Sequence, residues 1–152
     1  MTERGCSFMR QIYLYLSALI VFSFTFVGGS LAGPRLVAKI DLSQQRMNVY
    51  VKGRRQYSWP VSTARRGYRT PIGSFRPKVL ERMHYSRKYH NSPMPHSVFF
   101  LGGYAIHGTG AVRRLGRPAS HGCVRLHPSN ARRLYSLIKA YGKGNTRIKI
   151  VR

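Results

Sequence analysis

The sequence predicts a mainly β domain with one helix in its C-terminal half and one long loop. Short alternating apolar stretches recur along the chain, and turn-forming residues separate them. Only one stretch shows the three- and four-residue apolar spacing of a helix. The 120 residues that follow position 32 of the 152-residue chain are enough for a single compact domain.

The strands are predicted from alternation between turn signals. Pro60 places the third strand at a sheet edge or at a bulge, and Gly102-Gly103 marks the centre of a hairpin. The last strand is expected to close the sheet. The predicted strands are residues 36–42, 46–51, 56–62, 70–75, 98–101, 104–106, 124–126 and 146–150.

The predicted helix starts at Pro128, which suits a first helical position, and stops at Gly142. Its apolar positions 131, 134, 138 and 141 share one face, which is typical of core packing. Residues 76–97, in contrast, show little periodicity. A loop of that length in a compact domain is usually functional or disordered, and its tyrosines and methionines argue against disorder. We interpret it as a lid over the active site.

The N-terminus has the pattern of an export signal. Arg4 and Arg10 precede the uncharged apolar run 12–27, and small residues stand at Ser30 and Ala32. We therefore expect residues 1–32 to be a cleaved signal peptide and residues 33–152 to be the functional domain. The alternative is an uncleaved anchor, but the run is short of the roughly 20 residues that a spanning helix needs. The cleaved protein is expected in the periplasm or cell envelope, with no stable membrane span.

The chain is strongly basic, with 27 Lys and Arg against 3 Asp and Glu. Without the leader, 25 basic and two acidic side chains remain, a net charge of +23. Such a charge attracts polyanions. For an exported protein these are cell-wall polymer, anionic lipid headgroups or acidic glycans, and not nucleic acid. A role in solubility alone explains the charge equally well.

The candidate chemistry centres on Cys123, the only cysteine outside the leader, since Cys6 lies within it. A lone thiol in an oxidising compartment is either buried and inert or kept for chemistry. It lies in Ser120-His121-Gly122-Cys123-Val124-Arg125, and His107 precedes it in Ile106-His107-Gly108-Thr109. These residues offer a nucleophile and two candidate bases.

The residues by themselves leave several roles open. Either His107 or His121 could ionise the thiol, and Arg125 could lower the thiol pKa or hold a substrate carboxylate. The amides of Gly122 and Cys123 could line an oxyanion hole. Ser120 could bond the oxyanion or His107, or could simply end the preceding loop.

Zinc is the competing use of the same side chains. Cys123, His107 and His121 could bind it, with water as the fourth ligand. Cys-x-x-Cys pairs are absent from the sequence and carboxylates nearly so, which removes the obvious general base of a metallohydrolase. We expect no metal.

The two motifs together resemble the signature of the L,D-transpeptidase catalytic domain. His107 in Ile-His-Gly-Thr is followed, after twelve residues, by the Ser-His-Gly-Cys block that begins at Ser120. The upstream Thr-Pro-Ile-Gly-Ser-Phe of residues 70–75 is similar to that family's Thr-Pro-x-Gly-x-Phe strand, and residues 130–135 resemble the helix after its cysteine. The likeness spans most of residues 33–151.

The resemblance implies a β-sandwich or barrel-like fold and an exported enzyme that remodels peptidoglycan without metal or cofactor. Cys123 would attack the bond between the diamino acid and D-alanine of a donor stem tetrapeptide, releasing D-alanine. An amine would then resolve the thioester into a 3→3 cross-link. His107 would be the base, oriented by the Gly108 carbonyl, and Ser120, His121 and Gly122 would shape the pocket and oxyanion site. One branch of the family has asparagine at the position of Arg125 and other branches have arginine, so the resemblance does not define the role of Arg125.

Related functions remain open from sequence alone. Hydrolysis of the same thioester would make an L,D-carboxypeptidase or endopeptidase, and a protein amine would tether an outer-membrane protein to the wall. A sortase-type transpeptidase also uses Cys, His and Arg, but the Ser-His-Gly-Cys context argues against it. A non-enzymatic basic protein that binds nucleic acid or anionic envelope polymer, with Cys123 incidental, is the alternative from another class.

Overall fold

Two β-sheets and one α-helix make up residues 34–152, the part of the chain that the computed structural model describes. The predicted leader lies outside these residues. The helix is α1 (Pro128–Tyr141). The strands are β1 (Leu36–Asp41), β2 (Arg46–Val51), β3 (Arg54–Pro60), β4 (Gly73–Phe75), β5 (Val79–Ser86), β6 (Ser92–Leu101), β7 (Tyr104–Gly108), β8 (Val124–Leu126) and β9 (Thr146–Val151).

The first sheet has the order β3-β2-β1-β9-β4. Alternation in β1 buries Leu36, Ala38 and Ile40, the pattern of a half-buried strand. β3 is an edge strand, which confirms the interpretation of Pro60. β9 does not close the sheet at an edge: it pairs in parallel with β1 and antiparallel with β4, because the chain returns through α1 into the middle of the sheet.

The second sheet has the order β5-β6-β7-β8 and contains the main difference from prediction. Most of residues 76–97 form a β-hairpin of β5 and β6, closed by a short 3-10 turn at Arg87–Tyr89. The prediction of an irregular loop at residues 76–97 is therefore wrong. The alternation was hidden because β5 is a largely exposed edge strand and because Pro93 and Pro95 interrupt β6. The predicted hairpin at Gly102-Gly103 joins β6 to β7.

The helix matches its prediction and packs against β6 and β7. Ala131, Leu134 and Ile138 are its buried side chains. Gly142 ends the helix at φ +84°, where its N–H donates to the carbonyl of Ile138 at 2.9 Å. Within residues 34–152, no helix combines the length and the hydropathy that crossing a membrane requires.

The fold prediction of a mainly β domain with one helix is confirmed, in the two-sheet form and without a closed barrel among the described residues. The core collects the inward faces of both sheets and the apolar face of α1. Its largest fully buried side chains are Leu36, Ile40, Met47, Val49, Val61, Phe100, Ile106, Leu126, Leu134, Ile138, Ile148 and Ile150.

Candidate active site

The parallel pairing of β7 with β8 brings the two sequence motifs together. Its register sets His107 beside Arg125 and Ile106 beside Val124. Ile106 and Val124 are buried in the core, so His107 and Arg125 point to the opposite face. Cys123 directly precedes β8, which places its side chain on the face of Arg125.

A cavity of about 600 Å³ opens on that face. The predicted site residues Cys123, His107, Ser120, His121 and Arg125 all line it. The β5–β6 hairpin contributes further lining through His84, Ser86, Tyr89 and Met94. The segment predicted as a lid thus forms one wall of the cavity, although as a hairpin and not as a loop.

His107 is held as a neutral base. Its ring is 6% exposed, and its Nδ1–H donates to the carbonyl of Gly108 at 2.8 Å. Burial lowers the pKa of His107 to about 4; the hydrogen bond to Gly108 opposes this shift, and the charge of Arg125 adds to it. Because Nδ1 carries the proton, Nε2 is left with a free lone pair.

Gly108 is required by close packing. A Cβ built on it would lie 3.0 Å from Cγ of Pro95 and 3.2 Å from Cα of Pro128. The absence of a side chain lets β6 and the start of α1 approach the backbone that carries the His107 hydrogen bond. The position of this carbonyl is therefore set by the packing of the core around it.

Cys123 is a protonated thiol in the resting state. It is half-buried, with Sγ 3.8 Å from the carbonyl of Gly103. Burial raises the pKa of its thiol, while the backbone amide of Ala105 and the charge of Arg125 act in the opposite direction. A neutral thiol and a neutral imidazole thus share the cavity, and the thiol needs the base at the moment of attack.

Ser120 holds the loop that carries the cysteine. Its Oγ donates to the carbonyl of Cys123 at 2.6 Å and accepts from the N–H of Gly122 at 3.0 Å. Neither contact is to His107, and both lie within the cysteine loop. The second contact occupies the Gly122 amide, one of the two amides expected to line an oxyanion hole. The Cys123 amide forms no hydrogen bond with residues 34–152 and is the remaining candidate.

Gly122 is required by its backbone conformation. Its φ is +130°, and a Cβ there would lie 2.7 Å from the ring of Tyr104 and 2.9 Å from the carbonyl of Arg69. Its own carbonyl accepts from Thr70 Oγ1 at 2.8 Å, and that oxygen accepts from the Ala64 amide at 3.0 Å. Thr70 was recognised only as part of a strand motif, yet it supports the cysteine loop.

His121 is fixed on three sides by residues that sequence reasoning missed. Arg65 Nη2 donates to its Nε2 at 2.9 Å. Its ring stacks on Tyr89, with centroids 4.6 Å apart and planes at 12°, and meets Tyr68 edge-on at 4.6 Å. Burial lowers the pKa of His121, and the charges of Arg65, Arg125 and Lys88 add to this. Because the Nε2 lone pair of His121 is occupied by Arg65, His107 is the better placed of the two candidate bases.

Arg125 joins the cavity to the first sheet. Its backbone exchanges hydrogen bonds with Ser62 at 3.0 and 2.8 Å, and its Nη1 donates to the Ala119 carbonyl at 3.2 Å. Its guanidinium lines the cavity and forms no salt bridge with residues 34–152. The charge therefore opposes the rise that burial causes in the thiol pKa, and the guanidinium leaves donors for an anionic ligand.

No three His, Cys, Asp or Glu side chains of residues 34–152 are placed to share a metal ion. The zinc site that Cys123, His107 and His121 would have formed is therefore not assembled in the described part of the chain.

The comparisons with known proteins agree with this geometry. Residues 35–150 match the family model YkuD, the L,D-transpeptidase catalytic domain. An L,D-transpeptidase from Mycobacterium smegmatis superposes with a TM-score of 0.70 at 22% identity, over 78% of this chain and 59% of that one. An L,D-transpeptidase from Stackebrandtia nassauensis superposes with a TM-score of 0.69 at 28% identity, over 91% of this chain and 65% of that one. The L,D-transpeptidase LdtMt1, in complex with imipenem, superposes with a TM-score of 0.66 at 26% identity, over 77% of this chain and 59% of that one.

The structural relatives are longer proteins, and the chain spans about 59% of the length of the Mycobacterium smegmatis enzyme. No curated protein sequence matches the chain. The family match nevertheless covers well over half of the chain and contains both the His107 and the Cys123 sequence motifs. On these grounds the chain belongs to the L,D-transpeptidase catalytic-domain family.

Proposed function

We propose that this protein is a cysteine L,D-transpeptidase that acts on peptidoglycan stem peptides. The observation that carries the proposal is the pairing within one cavity of the Cys123 thiol with His107, whose Nε2 lone pair is free. Nucleophile, base and a carbonyl that orients the base are the parts that covalent acyl transfer needs. The reaction is the exchange of terminal D-alanine for an acceptor amine.

The first half-reaction forms a thioester. His107 Nε2 takes the thiol proton as Cys123 Sγ attacks the carbonyl between the diamino acid and D-alanine of a donor tetrapeptide. The Cys123 amide stabilises the oxygen of the tetrahedral intermediate. His107 then gives its proton to the departing amine, the C–N bond breaks, and D-alanine leaves.

The second half-reaction runs the same chemistry in reverse. The side-chain amine of a neighbouring stem attacks the thioester, and His107 accepts the amine proton. The C–S bond breaks, the thiol is reprotonated, and a 3→3 cross-link remains. A neutral imidazole suits both halves, because it must alternate between accepting and donating one proton.

The charge around the cavity suits a substrate that carries carboxylates. Arg65, Arg114 and Arg125 lie near enough to one another that the first two act on the pKa of the third. Lys88 acts on the pKa of His121 on the opposite wall. A stem tetrapeptide ends in carboxylates, and a cleft lined by one sign of charge concentrates such a ligand. Arg125 is the side chain that we assign to a stem carboxylate.

Export to the periplasm or cell envelope belongs to the same proposal, because the substrate lies there. The leader at residues 1–32 and its cleavage are part of it. With +23 net charge on residues 33–152, the domain is attracted to anionic wall polymer, and an outer-membrane protein is one possible amine acceptor. Neither step of the reaction calls for a metal or a cofactor.

The products distinguish the reactions that share this thioester. We expect the purified full chain, incubated with stem tetrapeptide, to release D-alanine and to form 3→3 dimers, as measured by liquid chromatography and mass spectrometry. Cys123→Ala is expected to form neither. Tripeptide alone would indicate a carboxypeptidase, and products linked to an added outer-membrane protein would indicate tethering. Unconsumed tetrapeptide, with unchanged binding of envelope polymer by Cys123→Ala, would favour the non-enzymatic binding protein.

A carbapenem is expected to acylate Cys123, because its strained carbonyl reacts with the same nucleophile and because the structural relative LdtMt1 was solved in complex with imipenem. The measurement is the mass of the intact protein, which should rise by one carbapenem. Cys6 provides the matched control: Cys6→Ala should keep the adduct and Cys123→Ala should lose it. An unmodified Cys123 under conditions in which iodoacetamide labels it would contradict the mechanism.

Replacing His107 by alanine should lower turnover of the tetrapeptide by about 10²- to 10⁴-fold, the usual contribution of a general base. The exposed His90 offers a control: His90→Asn suits its φ of +52° and should leave turnover near the wild-type value. Circular dichroism checks that each variant is folded. Near-normal turnover in folded His107→Ala would transfer the base role to His121.

The pH dependence follows from the pKa of His107, which is lowered to about 4. Only neutral imidazole can accept the thiol proton, so reactivity is kept until the pH falls towards that value and is lost below it. We expect the rate constant of carbapenem acylation to change little between about pH 5 and pH 7. A loss centred near pH 6.5, the ordinary pKa of histidine, would show that His107 is not the buried base.

A further inference from the structure

A second cavity, of about 310 Å³, lies outside the catalytic site. It is lined by Arg82, Met83, Pro95, His96 and Arg132. These residues come from three elements, β5, β6 and α1. None of them belongs to either catalytic motif, and the proposed reaction does not use them.

The β5–β6 hairpin contributes residues to both cavities. The cross-strand pair Met83–Pro95 lines the second cavity, and the next pair, His84–Met94, lines the catalytic one. No residue of 34–152 lines both cavities, so a ligand in one does not occupy the other.

The second cavity contains uncompensated positive charge. Arg82 and Arg132 each carry a guanidinium group, and neither forms a salt bridge with any residue of 34–152. The two acidic side chains in that range are engaged elsewhere: Asp41 accepts from Ser43, and Glu81 pairs with His84 at 2.8 Å. The protein itself thus supplies no anion to this cavity.

His96 adds a polar group that lacks a partner. Its backbone is left-handed, with φ +53°, and its ring meets Tyr135 edge-on at 5.5 Å. Its Nδ1 is buried and forms no hydrogen bond within the described residues. Burial lowers the pKa of His96, and the charges of Arg132 and Arg82 add to this. Because no acceptor is available at Nδ1, the tautomer with its proton on Nε2 is favoured, and its Nε2–H can donate to a ligand.

We propose that this cavity binds a phosphate group. Two guanidiniums and one imidazole approach from three separate elements, which suits a tetrahedral anion with several acceptor oxygens better than a planar carboxylate with two. The phosphate can be free or part of a phosphodiester, and the chemistry of recognition is the same. The site extends beyond the proposed transpeptidase reaction and does not depend on it.

Histidine NMR of the full-length protein tests the proposal. The chain has 6 His, and His96→Asn, which tolerates the left-handed backbone, identifies the His96 signal. We expect the His96 ring signals to shift saturably when inorganic phosphate is added at constant ionic strength. Glycerophosphoglycerol, a phosphodiester, is the second arm: saturation by both indicates a site that accepts polymers, and saturation by phosphate alone indicates the free ion. Acetate is expected to cause no saturable shift.

The arginines provide the decisive variants. Arg82→Gln and Arg132→Gln should each weaken phosphate affinity by about tenfold or more, the effect of losing a charge-assisted hydrogen bond. Arg133→Gln is the matched control, because it removes the same charge from the neighbouring exposed position of α1, and its affinity should stay within about twofold of the wild type.

Three results would overturn the proposal. The first is the absence of a saturable His96 shift with either phosphate compound. The second is an equal loss of affinity in Arg133→Gln, which would show attraction to net charge alone. The third is a shift of the His107 and His121 signals in place of His96, which would put the anion in the catalytic cavity beside Arg125. Carbapenem acylation of Cys123 is read separately, so failure here leaves the proposed function standing.

Discussion

The hydrogen bond from His107 Nδ1–H to the Gly108 carbonyl is the interaction on which the proposed catalytic arrangement depends. It selects the tautomer that leaves the lone pair on Nε2, and it does so without a carboxylate. A basic chain with two acidic residues after its leader has few carboxylates to offer. A backbone acceptor performs the orienting role, and it is held in place because Pro95 and Pro128 pack directly against Gly108.

Burial then sets the protonation states. The ring of His107 and the thiol of Cys123 both lose hydration, which favours the neutral form of each. The positive charge of Arg125 favours the thiolate, so it opposes the effect of burial on the Cys123 pKa. The same charge disfavours the imidazolium, so it adds to the effect of burial on the His107 pKa. One guanidinium beside the site therefore favours the neutral form of His107 and the ionised form of Cys123. This division of effects follows from charge sign alone.

The cysteine loop depends on a second set of contacts, made by side chains that carry no charge. Ser120 bonds to both Gly122 and Cys123, and Thr70 bonds to the Gly122 carbonyl from the strand motif some fifty residues upstream. The left-handed φ of Gly122 allows the chain to turn against Tyr104 without a clash. The Ser-His-Gly-Cys block is thus mainly a loop-forming sequence around one reactive sulfur.

The sequence by itself determined the local features: the helix 128–141 with its Gly142 stop and the strands with regular alternation. These follow from periodicity and turn chemistry, which act over a few residues. Residue type singled out Cys123 but left both His107 and His121 open as its base, and only the family resemblance pointed to His107. The β5–β6 hairpin was missed because an edge strand with little buried face has no alternation to read. Only the tertiary structure decided that Thr70 bonds to the Gly122 carbonyl, that Arg65, Tyr68 and Tyr89 enclose His121, and that β9 lies inside its sheet. These contacts join residues far apart in the chain, and pairing between distant segments is set by packing of the whole core, not by any local pattern.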